Sequence, residues 1–279
     1  MKMLVRLLMG AVCGIAPASQ VYAQEKTITI ATEGAYEPWN FTKDGELAGF
    51  DVDLANDLCE RMKLKCQIVA QDWDGLIPAL NAGKFDAIMA SMFITPKREE
   101  AIAFSRPYAI GAVTFMTAKD GPLAGVPGTG ELLDLDKVEE AKKLLDEMRP
   151  AMKGTIFGVQ SATANAFFFD KYFKGDVEIR EYKTTEQHDL DLQAGRIDAI
   201  SAQVTSIAAA LKKPGFENFV MVGPSIKGEM FGKGVGAGLR KQDTELKAAF
   251  DKAIGEALAD GTITRLSEKW FEFDMAKLF

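Results

Sequence analysis

The chain has 279 residues, 47% apolar and 26% charged, which is enough apolar material for a packed core and excludes a mainly disordered chain. Lys and Arg total 33 against 40 Asp and Glu, and the net charge of −7 leaves no electrostatic footprint for nucleic acid or for an anionic membrane surface. One His (His188) and three Cys leave little material for a His-based metal centre or a Ser-His-Asp triad, and the length fits two domains or one large one.

Residues 1–23 read as a secretory signal peptide. Lys2 and Arg6 form a positive start, Leu4 to Ile15 a short apolar run, and Val21-Tyr22-Ala23 a cleavage pattern with the cut before Gln24. The run falls short of the roughly 20 residues that a membrane span requires. Cys13 lies in the run, but Val12 precedes it where a lipobox resembles Gly, Ala or Ser, so a lipid anchor is set aside. Cleavage removes two cations and no anions and deepens the charge from −7 to −9. It leaves Cys59 and Cys66, which in an oxidising compartment tend to pair. A helix followed by a tight return into a strand can bring their Cα atoms within reach, and the alternative is two buried thiols.

Thr27 to Ala31 alternates as a strand, followed by the polar loop Thr32 to Trp39. Asp51 to Met62 reads as a helix and Gln67 to Ala70 as a strand. Trp73-Asp74 caps a helix running to about Ala82, and Phe85 to Ala90 is a buried strand. Thr95 and Pro96 supply an N-cap and a first helical position. Gly121 to Gly130 is rich in Gly and Pro. A polar helix follows, begun by Asp136 and Glu139 in a capping-box-like arrangement, with Val138, Leu145 and Met148 on one face and Pro150 as its stop. Thr155 to Val159 resembles the opening strand and leads into the polar loop Gln160 to Thr163. Glu245 to Ala259 is an amphipathic helix with Leu246, Phe250, Ile254 and Leu258 on one stripe and Gly261 as stop. The run Gly232 to Gly238 leads into a strand and is not a dinucleotide fingerprint. His188 reads as a solvated helix residue.

Strands alternating with helices argue an α/β architecture with largely parallel sheets. An internal echo supports two similarly built lobes. Leu80-Asn81-Ala82-Gly83-Lys84-Phe85-Asp86-Ala87-Ile88 recurs 112 residues later as Leu192-Gln193-Ala194-Gly195-Arg196-Ile197-Asp198-Ala199-Ile200. Each copy is a helix end, a Gly stop, a cation and a strand opening on Asp-Ala.

As a set, Gly49-Phe50-Asp51-Val52-Asp53-Leu54, Trp73 to Leu80, Asp86-Ala87-Ile88, Ile94-Thr95-Pro96-Lys97-Arg98 and Ile102 to Ser105 resemble the extracytoplasmic solute-binding proteins of polar amino-acid ABC transporters, as do Gly236 to Lys241 and Asp260-Gly261-Thr262. The resemblance covers essentially the whole mature chain. Ala31 to Tyr36, Phe104 to Tyr108, Phe231 to Gly236 and the extra segment near 120–150 resemble most closely the lysine/arginine/ornithine branch and its nopaline/octopine-binding members. The resemblance implies the two-lobed type II periplasmic binding fold, with two parallel-rich sheets flanked by helices and joined by two crossing strands. Lobe 1 would comprise 25–110 plus 235–279, and lobe 2 would comprise 111–234.

The resemblance also implies a site. Arg98 matches the clamp on the ligand's α-carboxylate, with Ala90, Ser91 and Phe93 beside it. Tyr36 and Trp73 match an aromatic pair around the ligand's stem or cationic end. Glu33 matches the acid that faces a basic head. Thr163, Ala164 and Asn165 lie where amides at a helix start receive an anion, and Gln160 faces the pocket. Two positions depart from the pattern: Gln203 stands where relatives carry an Asp for the α-ammonium, and Phe93 where they carry Ser or Gly. The implied function is capture of a polar or basic amino acid, or a compact opine-like derivative, for an inner-membrane permease. The expected protein is a periplasmic monomer without cofactor, metal or catalytic residues. The competing expectations are an enzyme of the same fold that dehydrates cyclic acids, and a ligand-sensing domain.

Overall fold

The computed structural model describes residues 27–275. The signal-peptide reading of 1–23, with Cys13 and the cleavage position, lies outside them. The elements in chain order are β1 Thr27–Thr32, β2 Ala35–Tyr36, β3 Asn40–Lys43, β4 Glu46–Ala48, α1 Phe50–Met62, β5 Lys65–Ala70, α2 Leu76–Asn81, β6 Ala87–Ile88, α3 Pro96–Glu99 and β7 Ala103–Phe104. Then come β8 Val113–Ala118, β9 Leu132–Asp134, α4 Val138–Met152, β10 Ile156–Gln160, α5 Ala164–Tyr172, β11 Glu178–Tyr182 and α6 Thr185–Gln193. The chain closes with β12 Ala199–Gln203, α7 Val204–Ala210, β13 Phe219–Lys227, β14 Gly238–Leu239, α8 Thr244–Ala259 and α9 Thr262–Phe271.

Two main sheets form. The first has the order β5-β1-β6-β14-β7 and the second β11-β10-β12-β8-β13-β9, while β2-β3-β4 is a small meander. In each main sheet one strand, β1 or β10, has a parallel neighbour on both sides. The chain leaves the first sheet after β7 and returns to it before β14, so two segments cross between the sheets. They are bonded to each other: the Tyr108 amide donates to the Val235 carbonyl, and the Val235 amide to that of Ala109. The glycine-rich run before β14 serves this crossing. A Cβ at Gly232, whose φ is +68°, would lie 1.7 Å from the Ile94 carbonyl oxygen, so only glycine fits.

The echo is a repeated joint. Gly83 and Gly195 both have positive φ after a helix end. Asp86 accepts from the Thr29 amide and donates its own amide to the Thr29 carbonyl, and Asp198 does the same with Ile156. In each lobe an Asp at the start of one strand thus pins the first parallel neighbour. Apolar packing fills both lobes: Phe50, Leu54 and Leu58 of α1 with Trp39 in one, and Phe115, Phe157, Phe168 and Phe169 in the other.

Cys59 near the end of α1 and Cys66 in β5 form a disulfide, with Cα atoms 6.2 Å apart. Lys63, in a left-handed conformation, turns the chain back between them. Among the described residues no helix is long and apolar enough to cross a membrane.

Several local expectations are corrected. Trp73 to Gly75 is a 3-10 turn with no side-chain cap, and the α-helix starts at Leu76. The regular part of the 85–90 strand is only Ala87–Ile88. Asp136 does not cap α4; its carboxylate accepts from the Glu229 amide instead. Val138 is exposed, whereas Leu145, Met148 and Met152 are buried. Pro150 lies inside α4, because buried Met152 anchors a last turn that the missing amide of Pro150 weakens without breaking. His188 is buried rather than solvated, because α6 lies close on β10: a Cβ at Gly158 would come within 2.9 Å of His188 Cβ. Its Nδ1 lies 3.0 Å from Asp189.

Candidate functional site

The loops after β1, β6 and β10 and the end of β12 meet between the two sheets and enclose a cavity. All twelve residues singled out above line it: Glu33, Tyr36, Trp73, Ala90, Ser91, Phe93 and Arg98 from the side of the first sheet, Gln160, Thr163, Ala164, Asn165 and Gln203 from the second. Thr185, Ser201 and Ala202 line it too and were not anticipated. Ser201 shares a strand face with Gln203 by the period of two, a signal that was available. Thr185, as the first residue of α6, left none.

Arg98 reaches the cavity from a short helix whose N-cap is Thr95, the Thr95 hydroxyl accepting from the Arg98 amide at 3.2 Å. Its Nη1 donates to the Phe93 carbonyl at 3.0 Å, and the guanidinium lies 4.9 Å from the Trp73 ring centroid. Burial lowers its pKa to about 10, so it stays cationic at neutral pH. Ser91 has φ of +50°, a conformation that β-carbon residues rarely adopt. Its amide donates to Asp51 Oδ2 at 2.8 Å, and its hydroxyl accepts from Gln203 Nε2 at 2.8 Å. Phe93 packs its ring into the crossing. It lies 6.0 Å from the Phe231 ring, and a Cβ at Gly111 would approach it to 2.5 Å.

Glu33 is buried and accepts from Gln160 Nε2 at 2.6 Å. Burial raises its pKa from 4.5 to about 7; the bond from Gln160 opposes this, and Asp72 and Asp74 add to it. Gln160 also donates to the Lys183 carbonyl at 3.0 Å. The Tyr36 hydroxyl accepts from the Gln203 amide at 3.2 Å, and burial lifts its pKa to about 12. Thr163 precedes α5, and its hydroxyl donates to the Gln160 carbonyl at 2.6 Å rather than capping the helix; Thr163, Ala164 and Asn165 at the helix start line the cavity. Asn165 accepts from the Ser201 hydroxyl at 3.4 Å.

Behind this layer lies Asp51, fully buried, with its pKa raised to about 7 by burial against hydrogen bonds from Tyr108, Asn40 and Ser91. Among the described residues no group of three His, Cys, Asp or Glu side chains is placed to hold a metal. The lining therefore offers one guanidinium, one carboxylate, three aromatic rings and a helix N-terminus. That set suits a small zwitterionic or cationic solute.

The chain is similar to known proteins over most of its length. Residues 28–273 match the model of the bacterial extracellular solute-binding proteins, family 3. The octopine-binding periplasmic protein of Rhizobium meliloti is 48% identical over 278 residues, covering 92% of this chain and 94% of that protein. The lysine/arginine/ornithine-binding periplasmic protein of Escherichia coli strain K12 is 36% identical, covering 96% and 97%. A solved periplasmic His/Glu/Gln/Arg/opine family-binding protein from Silicibacter pomeroyi, in complex with lysine, superposes with a TM-score of 0.70 at 32% identity, covering 88% of this chain and 96% of that one. With its two bonded crossings and the cavity between its sheets, the chain belongs to the bacterial extracellular solute-binding proteins, family 3.

Proposed function

We propose that the protein captures a basic or polar amino acid, or a compact opine-like derivative, between its two lobes in the periplasm and passes it to the permease of an ABC transporter. The observation that carries this reading is the pairing in one cavity of a half-buried guanidinium, Arg98, with a buried carboxylate, Glu33. Arg98 takes the solute's carboxylate and Glu33 its cationic head. Tyr36 and Trp73 pack the stem between them. The amides at Thr163, Ala164 and Asn165 complete the anion's shell. The lobes are 25–110 plus 235–279 and 111–234, the mature chain begins after Ala23, and it works as a monomer that binds without turnover.

Gln203 bears on the choice of solute. Its Nε2 is spent on Ser91, while its buried Oε1 has no partner. A neutral acceptor in place of a carboxylate suits a secondary amine flanked by carboxylates better than a free α-ammonium. Phe93 sets the size. Its ring fills room beside the clamp, and packed pockets tolerate little overfilling, so nopaline is disfavoured.

Native mass spectrometry of the protein as purified tests the reading. An amino-acid-like solute should be retained, should raise the melting temperature by mass action, and should come off unchanged. A converted product that scales with protein concentration would instead favour an enzyme.

A further inference from the structure

Asp51 is the second residue of α1 and is 1% exposed. Three donors surround it, each from a different part of the chain. The Ser91 amide and Asn40 Nδ2 both reach Oδ2 at 2.8 Å, and the Tyr108 hydroxyl reaches Oδ1 at 2.7 Å. Each donor leads on to something the site requires. Ser91 lines the cavity in its left-handed conformation and receives Gln203 from the opposite lobe. Asn40 accepts through Oδ1 from the Gly34 amide at 2.9 Å, which fixes the peptide directly after Glu33. Tyr108 belongs to the first crossing, where its amide donates to Val235.

Burying a carboxylate without a cation is costly, and packing alone would be served as well by an apolar side chain. What an apolar side chain cannot do is accept from a main-chain amide, a carboxamide and a phenol at once. We propose that Asp51 is the positioning residue of the binding site: one buried carboxylate sets Ser91 at the carboxylate end and, through Asn40, the Glu33–Gly34 turn at the cation end. It touches no solute. Its effect is that the two ends of the site are held in one frame, at a separation the first lobe sets before any solute enters.

The inference rests on the reading that Glu33 receives the cationic head, and the experiment separates the two. Arginine is titrated by calorimetry into the wild type, Glu33→Gln, Asn40→Ala and the double variant, with the same cycle repeated on Asp51→Leu. If Asp51 positions the site, Asn40→Ala and Asp51→Leu each weaken arginine binding about tenfold or more, and Glu33→Gln then adds little, the coupling being non-additive. Asp51→Asn keeps an oxygen for Ser91 and Asn40 and should recover most of the affinity lost in Asp51→Leu. A merely structural role would lower the melting temperature and leave the effect of Glu33→Gln as large as in the wild type; that additive result overturns the inference. Should Asp51→Leu fail to fold, the Asn40→Ala cycle carries the decision alone. If the wild type ignores arginine, or Glu33→Gln changes nothing in it, the functional reading fails first and the inference goes with it.

Discussion

Gln203 donates its Nε2 to the Ser91 hydroxyl at 2.8 Å and leaves its own Oε1 buried without a partner. The bond joins the end of β12 in the second sheet to the loop after β6 in the first, so it forms only when the lobes meet. Restoring a carboxylate there tests what the amide selects. Gln203→Asp should strengthen binding of arginine and ornithine by roughly tenfold, the order of a charge-assisted hydrogen bond, and should not strengthen octopine. Calorimetry with the three solutes decides it. Equal gains for all would show that the α-nitrogen lies elsewhere.

Removing the guanidinium of Arg98 leaves a bound carboxylate desolvated and unpaired. Arg98→Ala should weaken binding by about 2–5 kcal/mol. The Trp73 ring also loses the cation stacked at 4.9 Å, so a change in tryptophan fluorescence should accompany the loss. Wild-type affinity in this variant would put the carboxylate at another place.

Phe93→Gly should admit bulkier opines that the wild type rejects. The ring is packed against Phe231, so its removal also leaves a cavity, and the melting temperature should drop by the equivalent of about 3–5 kcal/mol. Nopaline and octopine titrated into both proteins give the comparison. Tight nopaline binding by the wild type, with no gain in the variant, would show that the ring does not limit the pocket.

Glu33 gives a pH dependence whose sign is fixed. Its pKa rises from 4.5 in the unfolded chain to about 7 in the fold, so the folded state holds a proton that the unfolded state has lost. Stability from this residue is fully present below 4.5 and is lost as pH rises to about 7, by up to about 3 kcal/mol. Asp51, shifted from 3.8 to about 7, acts in the same direction. Thermal melts across this window should show the fall, and Glu33→Gln should flatten part of it. A cationic solute favours the ionised Glu33, so affinity should weaken as pH falls below about 7. A solute indifferent to pH would place its cation away from Glu33.

The Cys59–Cys66 bridge closes a short loop, with a sequence separation of 7. Chain-entropy reasoning gives a stabilisation of about 2–3 kcal/mol. Intact-mass measurement before and after reduction should show a gain of two hydrogens, and reduced protein should melt lower. Two alkylatable thiols in unreduced exported protein would contradict it.

The parts of this molecule legible in the sequence are those where one residue type has one physical use. Thr95-Pro96 announced a helix start, and Gly83 and Gly195 announced helix ends. The Asp-Ala echo announced that two lobes would share a joint. What stayed hidden depends on neighbours distant in the chain. His188 looks like a surface residue until Gly158 lets α6 settle on β10. Asp136 looks like a cap until Glu229 arrives from the return crossing. Thr185 and Ser201 became lining residues only when the second sheet closed over the first. The twelve anticipated cavity residues came mainly from resemblance. Glu33 and Arg98 in isolation would have passed for surface charges.

The sixth strand of the second sheet has a consequence outside solute capture. Without β9, the nine-residue strand β13 would form the border of that sheet, with Val220, Val222 and Ile226 along it. Such a border is a template on which another chain can add a strand. β9 occupies it at Ser225–Lys227, is itself only three residues long, and is followed by the charged helix α4. A chain shortened through 120–150 would therefore present an open border, and should associate with itself at concentrations where the full-length protein stays dispersed.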